Sequence, residues 1–187
     1  MFKWIAIASL VISLGLGIGT ADALTPAKAE QLVRWTGCKA DLTLDKTEPV
    51  MGSYFRHYSL DYDKDAPKSE LYLGIKPYEG LTEEMEIAVL FHESGHCLQY
   101  QNSQMSILRQ NGTRTMELDA DRYSADLMCS YHMDGRQILH DLFVWALKTF
   151  DYNGDWGHGT LWERISQGNL ATSCNLVSQQ SPFMESK

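Results

Sequence analysis

Long apolar runs are scarce in this chain. The one in "MFKWIAIASLVISLGLGIGTADA" extends uninterrupted from Trp4 to Gly19, 16 residues, short of the roughly 20 that a helix needs to cross a bilayer. With its short basic start and the small-residue site Ala21-Asp22-Ala23 behind it, the segment reads as a secretory signal peptide cleaved after Ala23. An uncleaved N-terminal membrane anchor is the alternative. The residue directly after the cleavage site is Leu24 and not cysteine, so a lipoprotein anchor is not indicated. Basic residues are also in deficit, 16 Lys and Arg against 24 Asp and Glu, for a net charge of −8. Lys3 and Asp22 cancel within the leader, so the processed chain keeps that charge and offers no basic face to a phosphate backbone. Nucleic acid is therefore not an expected partner.

Cysteine is sparse too. The four present, Cys38, Cys97, Cys129 and Cys174, include no CxxC pair, which excludes a four-thiolate zinc site and, in an exported chain, points to two disulfides. Three pairings are open at this level. Internal repeats and low-complexity tracts are absent. The expected organisation is a signal peptide over residues 1–23 and a single domain over residues 24–187, secreted or periplasmic, with no stable membrane insertion once the leader is removed.

What is there organises as α+β. Thr25 and Pro26 supply a cap and a first helical position for a short helix ending near Gly37. A β-rich section follows: "SYFRHYSLDYD" and "SELYLGIKPY" read as strands of a small antiparallel sheet, the second with Leu71, Leu73 and Ile75 on one face and Tyr72 on the other. From Thr82 the pattern turns helical, with Glu83, Glu84 and Glu86 suited to the positive end of a helix dipole. Past a turn at Asn111-Gly112, "RTMELDADRYSADLMCSYHM" and "GRQILHDLFVWALKTF" form two more helices, the latter placing Phe143, Trp145 and Phe150 in the core. "DYNGDWGHG" is a loop and "TLWERISQ" a last helix. That loop does not make a calcium site, since Trp156 occupies the position where a calcium loop requires glycine. Asn111-Gly112-Thr113 is read as a turn rather than a glycosylation acceptor, and His57, His132 and His140 as ordinary residues.

The stretch "AVLFHESGHCLQY" carries the chemistry. His92 and His96 are four apart, so a helix sets both imidazoles on one face, one turn apart, where they can share one cation. Glu93 lies to the side, where a base can touch an activated water without occupying the metal. Two histidines need a third ligand, and "ELDAD" offers Glu117, with Asp121 one turn further on and able to accept the other ring N–H of a ligand histidine.

These two motifs together resemble the gluzincin zinc metallopeptidases, in which HExxH is followed by a glutamate ligand in an ExxAD pattern. "HGTLWERI" extends the resemblance to the compact minigluzincin-like group that includes the membrane-linked heat-shock and prenyl-protein proteases. That group has HPxxxxRI, matched here at His158 and Arg164 with Gly159 in place of proline. The resemblance spans about Glu84 to Ile165. It implies a zincin-like α+β domain, a Zn2+ ion on His92, His96 and Glu117, Glu93 as base, Asp121 orienting His92, Arg164 in support, and His158 near the zinc. His158 or Tyr123 would donate to the oxyanion.

The reaction so implied is hydrolysis of peptide bonds in exported proteins or peptides, as an endopeptidase rather than an exopeptidase. The substrate peptide is expected to pair with the strand "ELYLGI" by β-augmentation. If Asp121 meets His92 and Glu117 sits between the histidines, Cys97 and Cys129 point apart, which disfavours their bridging and leaves Cys38 and Cys174 as their partners. The alternatives are a catalytically silent zinc-containing peptide-binding or assembly factor, and a cell-wall peptide hydrolase. Oligomeric state is not legible in the sequence.

Overall fold

The computed structural model describes residues 24–49, 52–57, 69–102, 112–151, 153–155, 157–171 and 174. The expected leader, Asn111 of the expected turn, and the second half of "SYFRHYSLDYD" lie outside these residues. Helix α1 (Pro26–Thr36) opens with the Thr25 hydroxyl accepting from the Lys28 N–H and closes at Gly37 in the left-handed region, the residue type that adopts it without steric cost. Three strands follow, β1 (Asp41–Pro49), β2 (Tyr54–His57) and β3 (Ser69–Lys76), then α2 (Glu83–Gln101), α3 (Thr113–Ser130) and α4 (Gly135–Phe150). A two-stranded turn, β4 (Gly154–Asp155) and β5 (Gly159–Thr160), leads into α5 (Leu161–Leu170). The architecture is α+β, as expected.

The larger sheet is mixed, which corrects the antiparallel expectation. Its order is β1-β3-β2, with β1 parallel and β2 antiparallel to β3. Hydrophobicity explains why the last strand sits in the middle. Leu71, Leu73 and Ile75 of β3 are buried, whereas β1, "DLTLDKTEP", is charged and largely exposed, the composition that blunts a sheet edge. At Gly74 the two strands come so close that a Cβ would lie 2.1 Å from the Pro49 carbonyl oxygen, beside the register shift between Asp45 and Pro49. "ELYLGI" is thus the middle strand, paired with β1 on one side and, as far as Tyr72, with β2 on the other. Of the two edge strands among the described residues, β2 is the one that borders the cleft carrying His92 and His96.

Helix α2 is capped by Thr82, whose hydroxyl accepts from Met85 N–H. It runs through the core, with Ile87, Leu90 and Phe91 at most 1% exposed. At roughly 25 cal/mol per Å2 of apolar surface removed from water, such side chains dominate the stability of the helix in place. Phe150, expected in the core, is instead 47% exposed, because α4 ends there and its ring caps Trp145 and Tyr78 from outside. Two disulfides, Cys38–Cys97 and Cys129–Cys174, tie the segments before and after the helical core onto α2 and α3, and they fit an oxidising compartment. Among the described residues no helix is long and apolar enough to cross a membrane.

Candidate metal centre

The centre lies where α2 crosses α3, and a glycine permits the crossing. A Cβ on Gly95 would meet Tyr123 Cβ at 3.1 Å, Ala120 O at 3.2 Å and Ala120 Cα at 3.3 Å. The small residues inside HESGH and ELDAD are therefore what lets the helices approach closely enough for Glu117 to reach both histidines. The Ser124 hydroxyl fastens the same seam, donating to the Ala88 carbonyl at 2.8 Å in buried surroundings.

Glu117 bridges the two rings. Its Oε2 is 3.2 Å from His92 Nε2 and its Oε1 is 3.4 Å from His96 Nε2. Three ligand atoms, one from each residue, lie within 4.8 Å of one another, and two imidazole nitrogens with a carboxylate oxygen form a donor set that suits zinc among other divalent ions. The far side of each ring is held as well. His92 Nδ1 is 2.8 Å from Asp121 Oδ1 and His96 Nδ1 is 3.1 Å from Gln99 Oε1, so both rings turn Nε2 to the same point. The side chains are nearly enclosed, 11% exposed for His92 and 13% for His96. These observations fit a metal held by the three residues.

Charge is distributed unevenly around the point. Burial on its own would lower the His92 pKa, but its bonds to Asp121 and Glu117 prevail and push it above the ordinary imidazole range. Burial works to raise Glu117 as well, and there the two imidazoles prevail, holding the carboxyl far below its ordinary value. Glu93 goes the other way. Burial pushes it up, and the pull of the histidines and of the Phe55 N–H does not compensate. The two glutamates of the cleft are thus shifted in opposite directions.

Asp121 is fully buried. Burial opposes its ionisation, yet the Arg164 charge and the His92 ring keep its pKa below the ordinary value. Arg164 Nε and one terminal nitrogen donate to the two carboxylate oxygens at 2.7 and 2.8 Å, and the guanidinium lies over the Phe143 ring at 4.5 Å. His158 sits on the β4–β5 turn, 50% exposed, with Nδ1 bonded to Asp155 Oδ2 at 2.7 Å rather than to any of the three ligand candidates. It borders the same cleft as His92, Glu93 and His96. Tyr123 does not line that cleft and packs against Gly95 instead.

Sequence reasoning missed Gln99. Its amide nitrogen donates to Met116 O at 2.9 Å and to Asp119 Oδ2 at 3.1 Å while its oxygen meets His96. Its place three residues after a candidate ligand histidine, on the same helix face, was the available signal. It also missed the cleft wall: β2 contributes Tyr54 and Phe55, and α4 contributes Leu139, Leu142 and Phe143, to a cavity of about 550 Å3.

The fold and the site together define a class, an α+β protein with a His-His-Glu group able to hold a metal ion between two crossed helices. Compared with protein-family models, curated proteins and solved structures, the chain matches none.

Proposed function

We propose that the protein is an exported zinc metallopeptidase, acting as an endopeptidase on proteins or peptides outside the cytoplasm and resembling the compact gluzincins. The observation that carries this reading is the convergence of His92, His96 and Glu117 on one point, with Glu93, a carboxyl outside that triad whose pKa burial raises, in the same cleft. A purely structural metal site has no use for such a base.

A zinc ion on the two Nε2 atoms and the Glu117 carboxylate would supply Lewis-acid chemistry, polarising a carbonyl and acidifying a water. The chain's residues do the rest. The Glu93 carboxylate takes a proton from the attacking water and passes it to the leaving nitrogen, a task its raised pKa suits. Asp121 fixes the His92 tautomer, and Arg164 keeps Asp121 charged. His158, with Nδ1 donating to Asp155, stands at the border of the cleft in which an oxyanion would develop. Peptide backbone pairs along the β2 edge, and an apolar side chain enters between Leu139, Leu142 and Phe143.

The test combines zinc stoichiometry with cleavage of an unbiased peptide library, with and without a chelator. One zinc per chain and chelator-sensitive cleavage are expected. Glu93→Gln should retain the zinc and lose cleavage by roughly 10²- to 10⁴-fold, the scale of general-base catalysis. Unchanged turnover in that variant removes the mechanism. Zinc binding with no cleavage by the native chain leaves a peptide-binding role instead.

A further inference from the structure

Leu24 is the first residue after the expected cleavage site, and it is 3% exposed. Its backbone nitrogen lies 2.6 Å from Glu86 Oε2, in buried surroundings. Glu86 is itself only 2% exposed, near the start of α2 and on the helix that carries His92 and His96. A carboxylate this far from water is costly unless a charge or several donors meet it, and a peptide N–H is one neutral donor. Burial accordingly pushes the Glu86 carboxyl up, and Glu83 adds to this against the pull of the Leu24 N–H. Lys28, on the same seam, pairs with Glu83 at 3.0 Å.

We propose that removal of residues 1–23 creates an α-ammonium group at Leu24 that forms a buried ion pair with Glu86, so that export processing itself locks α1 onto the metal-bearing helix. The co-reactant is a membrane-bound signal peptidase. Water adds across the Ala23–Leu24 bond, its oxygen completes the carboxylate that leaves with residues 1–23, and the amine left on Leu24 is protonated. The buried carboxylate then faces three N–H donors and a full positive charge in place of one neutral N–H. The arrangement complements the Cys38–Cys97 bridge. That bridge ties the end of α1 to the end of α2, and the ion pair ties start to start.

The test uses the full chain, exported and processed by the host. N-terminal sequencing should read Leu-Thr-Pro. Inserting Gly-Ser between Ala23 and Leu24 moves the amine two residues away. The insertion should lower the folding equilibrium constant by about a hundredfold or more, the cost of removing one partner from a buried pair. In a Glu86→Gln background it should change little. Equal cost in both backgrounds, or a mature chain that starts at another residue, overturns the proposal. Should Glu86→Gln fail to fold, amine labelling decides. The native α-amine should react with an acylating reagent at least about tenfold more slowly than the amine of the insertion variant, the protection expected of a buried, paired group, and equal rates overturn the proposal.

Discussion

The two histidines of the candidate metal centre sit one turn apart on α2, and the molecule secures them by different chemistry. His92 leans on Asp121, a fully buried charge that Arg164 on α5 grips with two nitrogens. His96 leans on Gln99, a neutral amide that reaches Met116 and Asp119 on α3. The first end joins three helices through an ionic chain, and the second joins two through ordinary hydrogen bonds with a carboxylate only at the rim. An ionic chain aligns its members firmly and fails badly when one is lost, because the remaining charge stays buried. A neutral amide fails gently. The His92 end is therefore where the centre is both best oriented and most vulnerable.

The largest expected effect follows from cutting the ionic chain. Arg164→Met leaves Asp121 buried with only the His92 ring and should cost about 3–5 kcal/mol in chemical denaturation. Asp121→Asn should lower zinc affinity by roughly 10- to 100-fold in competition titrations. Next comes the crossing that both ends share. Gly95→Ala inserts a methyl against backbone of Ala120 and the Tyr123 Cβ, which cannot swing aside, so about 1–3 kcal/mol of overpacking is expected, with zinc affinity reduced as Glu117 is pushed from both rings.

Gln99→Met tests the neutral end. It removes the hydrogen bond to His96 and the two that Gln99 donates to α3 while keeping volume, and about 1 kcal/mol per lost bond is the ordinary scale. Calorimetric zinc titration should show a smaller loss than for Asp121→Asn. If the two losses match, the contrast between the ends is broken, and orientation of the rings, not the charge behind them, sets affinity.

The residues of the centre were unevenly legible. His92 and His96 meet because helical geometry is local, and four-residue spacing suffices to place two rings. Glu117 and Asp121 share a face for the same reason and were singled out by the need for a third ligand, whereas Arg164, 43 residues from Asp121, was found through motif resemblance alone. Gln99 was passed over because an amide beside a histidine gains meaning only once α3 is placed. The central position of β3 depends on a long-range ordering that alternation within a strand does not encode, although the charged "DLTLDKTEP" beside the apolar "ELYLGI" carried a hint of which strand would be the edge. Phe150 shows the limit of periodicity, which marks a helix face but not where the helix leaves the core. Glu86 was read as a dipole complement, and its burial under Leu24 is a tertiary fact.

The smallest expected effect probes how far the ionic end reaches. Arg164 is delivered to Asp121 by α5, whose first turn is closed by a capping box: the Thr160 hydroxyl accepts from Glu163 N–H, and Glu163 Oε2 accepts from Thr160 N–H at 2.8 Å. Arg114 pairs with the same carboxylate. These partners, Arg114 foremost, lower the Glu163 pKa from 4.5 to about 2. A lowered carboxyl contributes stability that is fully present above its unfolded value and is lost as pH falls through the folded one, so the window here runs from about 4.5 down to about 2. The side chain is 41% exposed, and solvent screening keeps the contribution small. In chelator-treated protein, Glu163→Gln should melt slightly below the native chain at neutral pH, and the gap should close across that window. Amide exchange should loosen over the first turn of α5 and leave the Gln99 region of α2 unchanged. Equal loosening at both places would mean that the two histidines share one support, and that the ionic and neutral ends act as a single unit.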